Sequence, residues 1–373
     1  MNYYLISGEA SGDLHGAHLI KALRKIDPNA HFRAWGGDLM EKEGATIVKH
    51  YSELAFMGFW EVISHLPTII KNIKTCKKDI LAFSPDLIIY IDYPGFNLRI
   101  AKWAKEIGFK NHYYISPQVW AWKENRVNKM KSILDALYVI LPFEKAFFEK
   151  KHNFKVHYVG HPLMDHIPNH PLDIKFHDKF NLESEKPIIA LLPGSRLQEI
   201  KKMLPLFIQV ANHFPKHQFV IAGAPGLSID DYTNIIKNTK LKVIHNATYD
   251  LLQHSSAALV TSGTATLETA LFDVPQLVCY RSSALSYWIA KKIVKLNYIS
   301  LVNLILNRLV VKELIQDELN LSNLCMHLES ILEPLNKKQF LDDYQKLKSI
   351  LVNGGASKKT AQLIYDRITS EKN

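Results

Sequence analysis

Three short motifs place hydroxyl, carboxylate or guanidinium side chains beside glycine, each directly after an apolar run. The segment GEASGD at residues 8–13 offers backbone N–H groups where a helix would begin. LPGSR at 192–196 joins a tight turn to a cation, Arg196, that can neutralise a diphosphate. TSGTATLE at 261–268 provides a helix N-terminus suited to phosphate, and Glu268 can accept both hydroxyls of a ribose. These residue types predict a site for a nucleotide-linked substrate.

A fourth candidate is Asp92, which follows the apolar run at residues 87–91. A carboxylate at the carboxyl end of a strand can act as the general base for an attacking hydroxyl. No H-E-x-x-H motif and no D-x-D pair after a strand are present, so the chemistry does not require a bound metal.

Each motif also has a structural alternative. Asp13 can cap the first helix, and Asp92 can cap the helix that begins near residue 96. Arg196 can form a surface ion pair with Glu199. Thr264 can be an N-cap residue with Glu268 as its later partner. The first motif also lacks the G-x-G-x-x-G pattern, which argues against a dinucleotide pyrophosphate there.

The elements that carry these motifs alternate between short apolar runs and helical periodicity, as in parallel α/β proteins. The sequence predicts two Rossmann-like, doubly wound domains facing a cleft, where ligands of such sheets bind. The expected strands are residues 3–7, 32–35, 87–91, 112–115, 137–140, 156–159, 188–192, 218–222, 242–245, 257–261 and 276–279, and the chain from residue 285 onward is expected to be helical. The expected divisions are 1–165 for the first domain, 166–187 for a linker, 188–345 for the second domain and 346–373 for a C-terminal helix. That helix either packs back on the first domain or exchanges with a partner subunit in a homodimer.

Composition narrows the class of protein. With 373 residues and 47% apolar content, the chain exceeds what one hydrophobic core usually serves. Its three cysteines form no C-x-x-C pair, which indicates a reducing cytoplasm, and neither a signal peptide nor a membrane-spanning helix is expected. The net charge of +10 suits nucleic acid, an anionic membrane face or phosphorylated small molecules. No RNP-like sequence or long basic cluster is present, so nucleic acid is not expected as a partner.

The stretch from residue 55 to residue 78 combines aromatic, aliphatic and basic side chains. Its first part contains Phe56, Met57, Phe59 and Trp60. A helix follows, with Ile69, Ile73, Cys76 and Ile80 on one face and Lys71, Lys74 and Lys78 on another. Apolar bulk beside lysines suits an element that meets anionic lipid, whereas packing of the apolar face into the core is the ordinary interpretation.

The motifs recur, in order and over nearly the whole chain, as a set that resembles the lipid-A-disaccharide synthase family. The matching segments are Gly8-Glu9-Ala10-Ser11-Gly12-Asp13, Met57-Gly58, Ile91-Asp92, Ser116-Pro117-Gln118-Val119-Trp120-Ala121-Trp122, Leu141-Pro142-Phe143-Glu144, Gly160-His161-Pro162, Pro193-Gly194-Ser195-Arg196, Ser262-Gly263-Thr264-Ala265-Thr266-Leu267-Glu268, Tyr280-Arg281 and Lys312-Glu313. Any one segment is weakly specific, but the ordered set is highly specific.

The resemblance implies a glycosyltransferase of GT-B architecture that acts in lipid A (lipopolysaccharide) biosynthesis. It implies inverting transfer of 2,3-diacylglucosamine from UDP-2,3-diacylglucosamine to 2,3-diacylglucosamine 1-phosphate (lipid X), giving the β-1,6-linked disaccharide 1-phosphate and UDP. No cofactor or metal is expected. The implied location is the cytoplasmic surface of the inner membrane, to which the enzyme would bind peripherally.

The resemblance also implies site residues. The implied catalytic residues are Asp92 and Arg196. Donor contacts are implied for Gly194, Ser195, Arg196, Ser262, Gly263, Thr264, Ala265, Thr266, Glu268, Arg281 and Asn303. The acceptor side is implied to hold Glu9, Ser11, Gly12, Gln118 and Trp120. Contact with acyl chains or the membrane is implied for Phe56, Met57, Phe59, Trp60, Ile69 and Ile73.

One departure and one rival remain. The family commonly has proline before the asparagine matched by Asn303, whereas this chain has Val302. A UDP-N-acetylglucosamine 2-epimerase shares the two-domain architecture but needs no lipid contact. The aromatic and basic stretch and the tryptophans Trp120 and Trp122 argue against it.

Overall fold

The computed structural model describes residues 1–54, 66–282, 296–351 and 354–372. The chain divides into two compact units. The first contains residues 1–165 and 354–373, and the second contains residues 166–353. Each unit is built around its own parallel β-sheet.

The first unit has a seven-stranded sheet in the order β3-β2-β1-β4-β5-β6-β7. Its strands are β1 (Asn2–Ile6), β2 (His31–Gly36), β3 (Thr46–His50), β4 (Leu87–Ile91), β5 (Asn111–Tyr114), β6 (Ala136–Val139) and β7 (His157–Tyr158). All residues of β4 are buried, as expected for a central parallel strand covered on both faces. Ile6 of β1 pairs with both Trp35 of β2 and Tyr90 of β4, which fixes the register at the centre.

The second unit has a six-stranded sheet in the order β10-β9-β8-β11-β12-β13. Its strands are β8 (Ile188–Leu192), β9 (Gln218–Gly223), β10 (Lys242–His245), β11 (Ser255–Thr261), β12 (Gln276–Tyr280) and β13 (Lys312–Ile315). Two apolar clusters cover its opposite faces, one centred on Phe207 and the other on Phe176.

Helices connect the strands. Those of the first unit are α1 (Ala10–Ile26), α2 (Asp38–Lys42), α3 (Leu66–Phe83), α4 (Pro94–Glu106), α5 (Arg126–Ile133) and α6 (Pro142–Ala146). Those of the second are α7 (Phe176–Lys179), α8 (Leu197–His213), α9 (Asp230–Ile236), α10 (Thr248–Gln253), α11 (Thr264–Leu271), α12 (Leu301–Leu306), α13 (Leu321–Leu332) and α14 (Pro334–Ile350), and the chain returns to the first unit as α15 (Ala356–Lys372). Within the described part of the chain, no helix is long and apolar enough to cross a bilayer.

The fold class expected from the sequence is confirmed, since both sheets are parallel and doubly wound. Every expected strand overlaps an observed one. The strand order reverses between β1 and β4 in the first unit and between β8 and β11 in the second. Ligands of open parallel sheets bind at such reversal points, and the four candidate motifs follow these four strands. The expectation of an entirely helical chain after residue 285 is wrong, because β13 pairs with β12 along the sheet edge.

The observed divisions differ from the expected ones at two places. Residues 166–187, expected to form a linker, belong to the second unit, where Phe176 is fully buried. The expected boundary at residue 345 falls inside α14, which also belongs to that unit. The C-terminal helix α15 lies in the first unit, where Asp165 accepts hydrogen bonds from the N–H groups of Ala356 (2.8 Å) and Ser357 (2.9 Å).

Candidate functional site

In the first unit, a small pocket lies beyond the carboxyl ends of β1 and β4. It is lined by Gly8, Glu9, Ser11, Gly12, Ile91, Asp92 and Tyr93. Gly8 is required for close packing, because a Cβ atom there would lie 2.5 Å from the ring of Tyr93. The structure thus brings the GEASGD segment and Asp92 together.

Asp92 stands at the mouth of this pocket. The residue is exposed to solvent, and it lines the pocket together with Glu9. Desolvation, and after it the negative charge of Glu9, raises the pKa of Asp92 to about 7. A carboxyl group with this pKa is substantially ionised at neutral pH and is still basic enough to take a proton from a hydroxyl.

In the structure, neither Asp13 nor Asp92 caps the helix that was considered as the structural alternative for it. Asp13 caps α2 rather than its own helix, accepting from the N–H groups of Gly37 (2.8 Å), Leu39 (3.1 Å) and Met40 (3.1 Å). The residue at the N-cap of α4 is Tyr93, without a side-chain capping bond. Asp13 therefore has a structural role, and Asp92 remains a candidate for the general base.

The predicted acceptor-side residue Trp120 is tied to a buried carboxyl group. Its indole N–H donates to Glu144 Oε1 (3.1 Å), and its ring meets Phe143 edge-on at 4.9 Å between centroids. Glu144 Oε2 also accepts from the N–H groups of Ile140 (3.1 Å) and Leu141 (2.8 Å). Burial raises the pKa of Glu144 to about 7. Gln118, two residues before Trp120, is exposed.

In the second unit, the PGSR turn after β8 contains the ion pair anticipated as an alternative. Glu199 accepts from the N–H groups of Ser195 (3.0 Å) and Arg196 (3.3 Å), and its other oxygen lies 3.3 Å from the Arg196 guanidinium. Gly194 has φ +122, and a Cβ there would lie 2.5 Å from Glu199. The Arg196 side chain is 51% exposed, so this pair is a weak surface ion pair.

The turn after β11 leads directly into α11. The N-cap is Gly263, so Thr264 is the first helical residue and not the cap. The residues Gly263 and Thr264 are exposed, and Ser262 Oγ donates to Ile299 O (3.1 Å). Because the first N–H groups of a helix have no partner within it, this end can receive an anion.

Thr266 and Glu268, in the same segment, form different kinds of hydrogen bond. Thr266 is fully buried, and its hydroxyl donates to Gly263 O (2.8 Å), while its donor contact stays a prediction. Glu268 accepts from the hydroxyl of Tyr249 (3.0 Å). Burial raises the pKa of Glu268.

The side chains of Asn303 and Arg281 form hydrogen bonds within the protein. Asn303 is fully buried; its Nδ2 donates to Val311 O and Glu313 Oε1 (both 2.8 Å), and its Oδ1 accepts from the N–H groups of Val310 and Val311. The guanidinium of Arg281 donates to the carbonyl oxygens of Gln316 (3.4 Å) and Leu319. The hydrogen-bonding capacity of the Asn303 side chain is thus filled internally, and its donor contact stays a prediction. The contacts of Arg281 anchor the end of β12, and its donor contact stays a prediction.

Comparison with known proteins gives the same ordered match. The family model described as lipid-A-disaccharide synthetase matches residues 3–365. The chain belongs to the lipid-A-disaccharide synthetase family. The resemblance found in the sequence is thereby confirmed, and this protein is a glycosyltransferase of lipid A biosynthesis.

Relatives in this synthetase family match along their whole length. The lipid-A-disaccharide synthase of Coxiella burnetii is 36% identical over 372 residues, which is 98% of each chain. That of Geobacter metallireducens is 35% identical over 375 residues, covering 99% of this chain and 97% of the relative.

Solved structures share the fold of this synthetase family member at low identity. UDP-GlcNAc 2-epimerase from Neisseria meningitidis, bound to UDP-GlcNAc, is 12% identical with a TM-score of 0.68, covering 98% of this chain and 100% of that chain. A glycotransferase of kitacinnamycin is 12% identical with a TM-score of 0.65, covering 98% of both chains. These matches support the GT-B fold, and the epimerase alternative is supported by the fold alone.

The residues expected to meet lipid divide into two groups. Phe56, Met57, Phe59 and Trp60 lie outside the described residues. On α3 of this synthetase family member, Ile73 packs against the core beside the fully buried Cys76 and Ile80, and Ile69 is half-buried on the same side. This face of α3 covers the sheet, as in the ordinary interpretation of the stretch, and the lipid contacts of Ile69 and Ile73 stay predictions. Lys71, Lys74 and Lys78 are exposed.

Sequence reasoning did not identify four side chains that hold the candidate site. They are Asn97, Tyr113, Glu144 and Tyr249. Glu144 could have been found from its place in the LPFE segment, which follows a strand. The tyrosines carry no local signal, since their partners lie far away in sequence. Among the described residues, no group of histidine, cysteine, aspartate and glutamate side chains could hold a metal ion.

Proposed function

We propose that the chain transfers 2,3-diacylglucosamine from UDP-2,3-diacylglucosamine to 2,3-diacylglucosamine 1-phosphate. The products are the β-1,6-linked disaccharide 1-phosphate and UDP. Family membership supports the reaction class. The observation that carries the mechanism is Asp92, a carboxyl group with a pKa of about 7 at the reversal point of the first sheet.

The proposed reaction is a single in-line displacement with inversion. The acceptor 6-hydroxyl oxygen forms a bond to the anomeric carbon of the donor while the bond from that carbon to the diphosphate oxygen breaks. Asp92 takes the hydroxyl proton, and the bonding electrons leave with UDP. No covalent intermediate with the enzyme is needed, because one displacement inverts the centre.

The developing charge on UDP is assigned to Arg196 and to the N-terminus of α11. A half-exposed ion pair such as that of Arg196 with Glu199 contributes only about 0–1 kcal/mol, so a diphosphate can displace it. Preorganised N–H donors stabilise the leaving group in the transition state, a role that a divalent cation has in other transferases. Glu268 is assigned to the ribose hydroxyls, and we propose that neither a metal ion nor a cofactor takes part.

Binding to an anionic membrane surface is proposed because both substrates carry acyl chains. The exposed lysines of α3 support this part of the proposal. Removing the three charges of Lys71, Lys74 and Lys78 together should weaken sedimentation with anionic vesicles and leave binding to UDP unchanged.

The test is the release of UDP from UDP-2,3-diacylglucosamine, with and without the acylated acceptor phosphate. Acceptor-dependent UDP and a disaccharide product are expected. Asp92→Asn should lower kcat by about 10²–10⁴-fold through loss of the base. Arg196→Ala should lower kcat by about 10²–10³-fold through loss of a transition-state donor. The wild-type rate should rise with pH through about 7, as Asp92 ionises.

Two matched controls are available. Asp86 flanks the other end of β4 and accepts from Asn2 N–H (2.8 Å), so Asp86→Asn should retain activity. Lys201 is exposed on α8, one turn beyond Arg196, so Lys201→Ala should also retain activity. Folded wild-type protein that forms no disaccharide would overturn the substrate assignment. Conversion of UDP-N-acetylglucosamine to its 2-epimer would favour the rival instead.

A further inference from the structure

Asp92 and its neighbour Tyr93 have an unusual backbone. Both residues have positive φ angles, +44 for Asp92 and +49 for Tyr93. The left-handed region is unfavourable for residues with a Cβ atom, and two in succession persist only when the surroundings hold them. The direction of the Asp92 carboxyl group depends on this turn, because only one methylene group separates it from the main chain.

The main-chain carbonyl of Asp92 is held by two buried side chains. Asn97 Nδ2 donates to Asp92 O (2.7 Å), and the hydroxyl of Tyr113 donates to the same oxygen. Asn97 also donates to Ile6 O (3.2 Å) and Ile91 O (3.4 Å), which joins the ends of β1 and β4. Both Asn97 and Tyr113 are fully buried.

We propose that Tyr113, together with Asn97, is a positioning residue that fixes the left-handed turn at Asp92 and so aims its carboxyl group into the pocket. This inference rests on the proposed function, in which Asp92 is the base. Tyr113 does not touch a substrate in this role. It acts through the carbonyl of Asp92, from the neighbouring strand β5.

A purely structural role for the hydroxyl of Tyr113 is the competing explanation, and the fold supplies a close comparison. Tyr90 on β4 is also fully buried, and its ring stacks on that of Tyr113 at 5.8 Å between centroids. Its hydroxyl donates to Asn111 Oδ1 (2.9 Å). Tyr90→Phe therefore removes an equivalent buried hydrogen bond from the same core without touching Asp92.

The experiment compares Tyr113→Phe with Tyr90→Phe in the UDP-release assay, with Tm measured for both. Similar falls in Tm, of roughly 2–4 °C, are expected because each variant loses one buried bond. Only Tyr113→Phe should lower kcat, by about tenfold, since small misplacement of a reacting group costs this much or more. The KM values for both substrates should stay within about twofold of wild type, because binding contacts are unchanged.

The double variant separates this inference from the proposed function. In an Asp92→Asn background, measured at high enzyme concentration, Tyr113→Phe should cause no further loss of kcat. Three outcomes would each overturn the positioning role. They are a wild-type kcat in Tyr113→Phe, equal losses of kcat in both tyrosine variants, and a further tenfold loss of kcat in the double variant. If Asp92→Asn is inactive while Tyr113→Phe is fully active, only the positioning role fails. If Asp92→Asn itself keeps wild-type kcat, the proposed base is wrong and the positioning role falls with it.

Discussion

Asp92 in the first unit and Glu313 in the second are both carboxylates of motif segments, but Glu313 is buried and Asp92 is exposed. Glu313 accepts from the N–H groups of Ile299 and Ser300 and from the amide of Asn303, at 2.8–3.1 Å. For Asp92, it is the main-chain carbonyl that receives the buried donors, while desolvation and Glu9 raise the pKa of its carboxyl group. A carboxylate surrounded by donors is part of the fold, whereas one held through its backbone remains available for proton transfer.

The largest expected effect on stability comes from replacing Glu313, whose carboxylate accepts several hydrogen bonds. Glu313→Ala leaves the N–H groups of Ile299 and Ser300 and the Asn303 amide without their acceptor. Each abandoned buried donor costs about 1–3 kcal/mol, so the free energy of unfolding should fall by about 3 kcal/mol or more. Thermal denaturation should show a Tm lower by about 10 °C.

Glu318 provides the control for this prediction. It lies a few residues later, its side chain is 60% exposed, and it pairs with Lys312 at 3.6 Å. Glu318→Ala should leave Tm almost unchanged, because exposed ion pairs contribute little. A similar Tm for both variants would show that the donors around Glu313 are not structural, and the contrast with Asp92 would then disappear.

Asp92→Asn, in contrast, should raise Tm. The folded protein raises the pKa of Asp92 to about 7, above its value in the unfolded chain, so ionisation of Asp92 costs stability as pH rises from about 4 to about 7. The neutral asparagine avoids this cost. Because Asp92 is exposed, solvent screening reduces this cost, so the Tm of the variant should equal that of wild type near pH 4 and exceed it by only roughly 2–4 °C at pH 8.

The control is Asp86→Asn at the other end of β4, whose carboxylate accepts from Asn2 N–H (2.8 Å), so this variant should not be more stable than wild type at pH 8. Calorimetry of both variants and wild type at several pH values makes the measurement. An Asp92→Asn protein that is less stable than wild type at pH 8 would mean that donors hold the Asp92 carboxylate, as they hold Glu313.

The sequence contained most of the fold because central parallel strands are continuous apolar runs. β4 and β8 are entirely buried and easily recognised. The edge strands β3 and β13 carry no such signal, since their sequences TIVKH and KELI mix charged with apolar residues. Residues 166–187 resemble a linker in composition, and only long-range contacts, such as the burial of Phe176 and the His170–Asp250 pair (2.8 Å), show that they belong to the second unit.

The candidate site was predictable only where it is local. Asp92 and the PGSR turn are visible because each directly follows an apolar run. Thr266 looks like a ligand residue in the sequence, yet its hydroxyl turns inward to Gly263 O. The amide of Asn303 is fully hydrogen-bonded to Glu313 and to the backbone at residues 310 and 311. No local sequence pattern predicts these contacts.

Glu144 is an intermediate case, with donors around it and a pKa still raised to about 7 by burial. Glutamine can keep the two backbone N–H donors on its single oxygen, but its amide then faces the indole N–H of Trp120. Glu144→Gln should lower the free energy of unfolding by about 1 kcal/mol and Tm by about 2 °C.

The double variant with Trp120→Phe checks this prediction. Removing the indole N–H relieves the clash of donors, so the two changes together should cost less than the sum of the single changes. Additive losses of Tm would indicate that Glu144 and Trp120 do not stabilise each other.

The smallest expected effect concerns Glu268, whose carboxylate receives a donor from Tyr249 and is assigned to the ribose. Tyr249→Phe removes this hydroxyl but leaves Glu268 in place, at a cost of about 0.5–1 kcal/mol, which should raise the donor KM roughly two- to fivefold without changing kcat. The matched control is Tyr344→Phe, whose hydroxyl donates to Val274 O (3.2 Å) at the amino end of β12, away from the turn after β11. An unchanged donor KM in Tyr249→Phe, or an equal rise in the control, would place Glu268 with Glu313 among the structural carboxylates. A rise confined to Tyr249→Phe, and absent when Glu268 is already glutamine, would place it with Asp92.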